Sequence, residues 1–374
     1  MAARPFVVHA LLTLGVLSGC TSAPPQLRKP GHLLPVRTWV APLPKGFDPP
    51  PVPADNPITP AKIELGRRLF YDKRLSRNGK QSCASCHQQA KAFTDGAAVA
   101  TGSTGERHFR NAMTLTNVAY QPVFTWADRD VKSLEAQARI PIVNEHPVEL
   151  GFGSTEDELV ARIAADSDYR KRFAAAFPGD AKPVSMANIQ RAIASFERIL
   201  ISGDSPYDRL VFGDDANALS ESARRGMRLF FSDKIGCSNC HGGLNLSAPS
   251  KGERFRNTGL YDVDDRGSYP ASDRGLAKTS GQGRDNGRFR IPTLRNVAVT
   301  APYMHDGSVP TLSAVIDAYA AGGRARLGGH PRHRGVDVRP FAITAEEKRD
   351  LIAFLESLTD EKFLHDPRFG DPWQ

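Results

Sequence analysis

Cys83-Ala84-Ser85-Cys86-His87 and Cys237-Ser238-Asn239-Cys240-His241 are two copies of a C-x-x-C-H pattern, one in each half of the chain. In such a pattern two thiols form thioethers with the vinyl groups of a porphyrin, and the adjoining imidazole reaches its iron. A zinc site or a redox-active cysteine pair would use the same thiols, but neither requires histidine in the fifth position both times. The chain has five cysteines. Four belong to the motifs and the fifth is Cys20, so none remains for a disulfide. The expectation is two covalently bound haem c groups, one on Cys83, Cys86 and His87, the other on Cys237, Cys240 and His241.

Several segments must deliver and position these groups. Phe6 to Gly19 is a short apolar run after Arg4, too short to span a bilayer, and it reads as a signal peptide over residues 1–20. Its end, Leu17-Ser18-Gly19-Cys20, resembles a bacterial lipobox. That resemblance implies acylation of Cys20 and a periplasmic protein tethered by lipid alone; an ordinary secretory signal with a chance cysteine is the alternative. Residues 21–58 are dense in proline and lack apolar periodicity, which describes a tether or wrapping arm. The net charge of +8 would suit nucleic acid, but an exported chain does not meet it routinely. An acidic protein partner or a solvated basic surface remains.

The remaining chain is long enough for two domains, and it repeats itself. Leu65-Gly66-Arg67-Arg68-Leu69-Phe70-Tyr71 precedes the first motif as Arg225-Gly226-Met227-Arg228-Leu229-Phe230-Phe231 precedes the second. Thr114-Leu115-Thr116-Asn117-Val118-Ala119 is likewise echoed by Thr293-Leu294-Arg295-Asn296-Val297-Ala298. These echoes divide the body into residues 59–215 and 216–374.

Helical spacing recurs at Ile189, Ile193, Phe196 and Leu200. A capping box is expected at Thr155 and Glu158, a helix start near Ser220, and another box at Thr344 and Glu347. No run of alternating strands is evident, and residues 245–286 read as long loops. The fold class is mainly α: two duplicated cytochrome c-like haem domains with long irregular connections.

The paired motifs, with His146-Pro147-Val148-Glu149-Leu150-Gly151 and the run from Thr293 to Gly307, resemble the bacterial di-haem cytochrome c peroxidase and MauG superfamily from about residue 60 onward. Ser133 to Gln137, Glu145 to Glu149 and Phe363 to Phe369 resemble its MbnH-type branch in particular. This resemblance implies that the haem on His87 is the peroxide site, with Glu149 as acid–base residue. A carboxyl in a partly apolar pocket can have its pKa tuned to move a proton between the two peroxide oxygens.

The resemblance also implies a ligand to the second iron at Tyr319, where peroxidases carry methionine. A hard phenolate oxygen favours oxidised iron; Met304 is the rival. It places Trp126 between the haems, and one Ca²⁺ on Asn111 and the carbonyls of Thr300 and Pro302, an oxygen set suited to a hard cation. Taken alone, Glu149 would be a surface charge, Tyr319 and Trp126 core residues, and Asn111 a turn cap. The histidine that closes the peroxide position in related peroxidases falls near Ser103 here, with His108 out of register. A permanently five-coordinate first haem is therefore expected.

Three readings follow. The first is an oxidase driven by H2O2 through a high-valent di-haem state, which oxidises a protein side chain; the MbnH-type branch implies tryptophan to kynurenine on a copper-binding partner. The second is a periplasmic cytochrome c peroxidase fed by a small cytochrome or cupredoxin. The third is a di-haem electron carrier, in which Glu149 would have no purpose.

Overall fold

The computed structural model describes residues 42–249, 254–331, 333 and 335–374. The signal peptide, Cys20 and residues 21–41 of the expected arm lie outside the described residues. Among those described, eight helices of nine residues or more carry the fold: α1 (Pro60–Tyr71), α2 (Leu134–Val143), α3 (Glu156–Ala165), α4 (Ser167–Ala176), α5 (Met186–Arg198), α6 (Glu221–Phe230), α7 (Leu312–Ala320) and α8 (Ala345–Glu356). The chain is mainly helical, as its periodicity indicated. None of these helices is long and apolar enough to cross a membrane.

Local chemistry sets the helix ends. The Thr59 hydroxyl accepts the Lys62 N–H at 3.2 Å, and Pro60 opens α1 where no N–H is needed. Ser220 caps α6, and Thr344 and Glu347 form the expected box on α8. The box expected at Thr155 does not form. α3 begins there, but the Thr155 hydroxyl turns back and donates to the Phe152 carbonyl at 2.6 Å. The loop-rich stretch also holds one strand, which pairs with another just beyond its end. Strand β1 (Phe255–Asn257) pairs antiparallel with β2 (Arg288–Arg290), Arg256 opposite Phe289. Three residues are too few for alternation to show in the sequence.

The sequence echoes are also echoes in geometry. A Cβ on Gly66 would lie 1.9 Å from the Ala192 carbonyl oxygen, and one on Gly226 would lie 1.9 Å from that of Asp350. The pairs α1–α5 and α6–α8 therefore meet backbone to backbone, which only glycine permits. Asn117 and Asn296 both take left-handed backbone (φ 53° and 60°). The Asn117 side chain accepts the Ser202 N–H at 2.7 Å, and that of Asn296 accepts the Asp360 N–H at 2.7 Å. The two are stitched together, since the Asn296 amide also donates to the Ser202 hydroxyl at 3.1 Å.

One hydrophobic cluster gathers α1 to α5 and surrounds the first motif; a second gathers Phe230, Leu246, Val297, Ile316, Leu351 and Phe354 around the other. The first also takes in Phe363, Leu364 and Phe369 from the far end of the chain. Phe363 sits edge-on to Phe93 at 5.7 Å, and Gln89 donates to the carbonyls of Phe363 and Asp366. Residues 42–58 lie against the body, with Phe47 buried edge-on to Tyr120 and Phe212 and Asn56 bonded to Glu135.

Candidate active site

Each C-x-x-C-H motif forms a single helical turn, and the histidine that follows it is fixed by a main-chain carbonyl. His87 Nδ1 lies 2.8 Å from the Phe93 oxygen and His241 Nδ1 lies 3.0 Å from that of Leu246. A carbonyl can only accept, so both Nδ1 atoms carry the proton and each Nε2 keeps its lone pair for a metal. Desolvation holds both imidazoles neutral, with pKa values below the usual histidine range. Burial pushes the Cys86 and Cys237 thiols up to about 12. Such thiols stay protonated on their own. All four motif cysteines are free of disulfides.

The His241 motif opens onto a cavity of about 730 Å³, within the range of sites that hold large organic ligands. Cys237, Cys240 and His241 line it, with Tyr319, Met304, Trp126, Arg290, Asn111, Thr300 and Pro302. Tyr319 reaches it from α7, and desolvation raises its phenol well above the normal tyrosine range. Both candidate ligands for the second iron, Tyr319 and Met304, thus reach the same cavity. The three residues expected around calcium reach it as well, and the Asn111 amide nitrogen is already committed to the Ala97 and Ala98 carbonyls. The Trp126 indole N–H donates to the Asn111 carbonyl at 2.9 Å.

The His87 motif faces a smaller cavity, about 60 Å³, lined by Cys83, Cys86, His87 and Glu149. Glu149 is held there because Ser103 N–H donates to its carbonyl at 2.7 Å and Val148 N–H to the Glu106 carboxylate at 3.0 Å. Loss of water around its carboxyl raises the Glu149 pKa to about 7, where a carboxylate can both take and return a proton near neutrality.

Several residues of this wall were not assigned to it from the sequence, three of them on helices. Gln137 and Pro141 face it from α2, and Glu197 from α5. Glu197 Oε2 is buried without a hydrogen-bond partner, and burial raises the group to about 8. One placement differs from expectation. His108 lies in the wall and Ser103 does not, so an imidazole does stand at the first cavity.

The family model described as di-haem cytochrome c peroxidase matches residues 60–216, and a RoxA-like, cytochrome c-like model matches residues 289–321. The methylamine utilization protein MauG of Methylorubrum extorquens is 36% identical over 311 residues, 83% of this chain and 82% of its own length. The chain belongs to the di-haem cytochrome c peroxidase and MauG family. Cytochrome c551 peroxidase of Pseudomonas aeruginosa is 34% identical, covering 82% of this chain and 81% of that one. Among solved structures, a MauG-like protein associated with microbial copper homeostasis is 46% identical with a TM-score of 0.83, covering 90% of this chain and all of that one.

As a family member the chain is a di-haem oxidoreductase acting with peroxide. The residues present fit two haems: two pairs of neutral thiols, two imidazoles whose Nδ1 is held by a carbonyl, and a buried cation, Arg290, in the larger cavity that no carboxylate among the described residues pairs with.

Proposed function

We propose that the chain is a peroxide-driven di-haem oxidase that draws electrons from a side chain of a partner protein, and that its substrate is a tryptophan of a copper-binding partner converted to kynurenine. The observation that carries this reading is the unlike lining of the two cavities. One holds a carboxyl tuned to about 7 beside His87, and the other holds a buried phenol beside His241. The copper-linked structural relative supports the choice of partner. When bound, the haems supply the peroxide-driven redox chemistry.

Glu149 takes a proton from the inner peroxide oxygen and returns it to the outer one. Tyr319 would offer the second iron a hard oxygen, which favours oxidised iron. Trp126 provides an oxidisable ring in the wall between the motif-bearing halves. Asn111, with the Thr300 and Pro302 carbonyls, would hold a Ca²⁺ that fixes this junction. Residues 59–215 and 216–374 act as two haem domains of a periplasmic protein anchored through Cys20.

A cytochrome c peroxidase fed by a small cytochrome or cupredoxin is the second reading, and His108 is the observation in its favour, since an imidazole at the first cavity can close the peroxide position. One experiment separates the two. Peroxide is added to the purified ferric protein, and optical and electron paramagnetic spectra are recorded. A long-lived oxidised state without prior reduction, starting from one high-spin and one low-spin ferric signal, supports the oxidase. Two low-spin signals at rest, with turnover only after half-reduction by a small cytochrome, overturn it.

A further inference from the structure

Arg290 ends β2 and is buried to 6% exposure, yet no carboxylate among the described residues pairs with it. Its Nε donates to the Thr125 carbonyl at 3.3 Å and its Nη2 lies 3.6 Å from Met113 Sδ, a weak acceptor. Nη1 has no protein partner among the described residues, and the guanidinium lines the larger cavity. Among the described residues, the one charged neighbour that acts on it is a second cation, Arg254.

Arginine cannot readily shed its proton, and a buried guanidinium without a counter-charge is strongly unfavourable. The other deeply buried arginines show the usual solution: Arg295 is bonded to Asp208 at 2.8 Å and Arg198 to Glu135 at 2.8 Å. Arg290 departs from that pattern at the wall of the larger cavity, where a haem would bring two carboxylates. The guanidinium fork is the natural match for such an anion.

We propose that Arg290 is a carboxylate-binding residue of the larger cavity: it holds a propionate of the haem attached at Cys237 and Cys240 and, through its bonds to the Thr125–Trp126 segment, positions the Trp126 indole at the rim of that site. The second half of the statement rests on two contacts. Arg290 N–H donates to the Trp126 carbonyl at 2.8 Å, and Nε holds the Thr125 carbonyl. A bound carboxylate thereby becomes part of the fixture that carries the indole. The inference rests on the larger cavity holding a haem and not on which protein the enzyme oxidises.

The test uses the holoprotein with Arg290→Gln, Arg290→Lys and, as a control, Arg254→Gln. Haem content is counted, the propionate bending modes are read by resonance Raman, and both haems are titrated by spectroelectrochemistry. Arg290→Gln is expected to shift the propionate mode of one haem and to move that haem's potential to more negative values. Arg290→Lys is expected to restore the potential, because it keeps the charge, while the mode stays shifted for want of the fork. Arg254→Gln is expected to leave the mode unchanged.

A two-haem Arg290→Gln protein with wild-type mode and potential overturns the proposal. Should Arg290→Gln fail to assemble, Arg290→Lys decides alone, an unshifted mode overturning it and a shifted one supporting it. A wild-type chain with haem only at His87 overturns the haem reading of the larger cavity together with the role of Arg290, which separates that failure from the failure of Arg290 alone.

Discussion

The half that carries His87 and the half that carries His241 repeat each other at four points of backbone chemistry: a glycine pressed on a partner helix, a carbonyl holding the imidazole, a left-handed asparagine, and a threonine hydroxyl tied to a carbonyl (Thr114 to Ala92, Thr293 to Asn245). They part company in the side chains that face the cavities. Glu149, His108 and Glu197 stand on one side; Tyr319, Met304 and Arg290 stand on the other. The repeated features present a histidine in a fixed tautomer, and the unrepeated ones decide what that histidine's site can do. Two cavities with unlike linings are thus built on a repeated frame.

The sharpest way to break this comparison is Glu149→Gln, which keeps the shape and removes the base. The stopped-flow rate of the ferric protein with peroxide should fall about 10²- to 10⁴-fold with both haems retained. In the unaltered protein that rate should rise with pH through about 7, as the Glu149 carboxyl loses its proton, and the rise should vanish in the variant. A near-wild-type rate would leave the smaller cavity no more reactive than the larger.

Next in size is Tyr319→Met. Exchanging phenolate for thioether should raise the potential of one haem, because thioether favours the reduced iron. A spectroelectrochemical titration that leaves both haems unmoved would hand the ligand role to Met304.

The frame itself is probed by Gly66→Ala and Gly226→Ala. Each forces a methyl against a carbonyl oxygen and should cost about 1–3 kcal/mol, as overpacking does. Thermal unfolding should register similar losses for both; a large loss at one and none at the other would show that the frame is less symmetric than its contacts.

The effect that depends most on pH is expected at Glu197. Its pKa is raised from 4.5 to about 8 by burial, so its contribution to stability is fully present below about pH 4.5 and is lost as pH rises through about 8. Glu197→Gln should flatten the stability profile across that window, as read by denaturant titration at several pH values.

Much of the frame was legible in the sequence because it is local. Ser220 and Thr344 cap helices whose apolar faces follow within a few residues, and the tandem echoes of Leu65–Tyr71 and Thr114–Ala119 lie along single segments. Thr155 shows where local reasoning fails. The hydroxyl had two partners in reach, and the preceding turn at Phe152 won it. His108 was placed by counting along a loop, whereas its position depends on the segment 145–151 folded against it, Gly102 approaching the Val148 carbonyl so closely that a Cβ would lie 1.7 Å away. Arg290 and Glu197 carry no signal of their own in a row of letters. An arginine in Phe289-Arg290-Ile291 and a glutamate in Phe196-Glu197-Arg198 look like ordinary surface charges until distant elements close over them. The residues around the motifs were readable through resemblance, and those whose importance is an unmet electrostatic need were readable only in three dimensions.

Phe363, Leu364 and Phe369 follow both motifs in the chain, yet they complete the aromatic packing around Phe93, whose carbonyl fixes His87. This has a consequence for the order of assembly. Contacts of such long sequence separation close late, since the chain between them must first be confined. The earlier-made half therefore cannot complete this packing until the later-made half has been synthesised. A chain cut short before residue 361 should accordingly lose rigidity at His87, far from the cut in sequence, and keep the surroundings of His241.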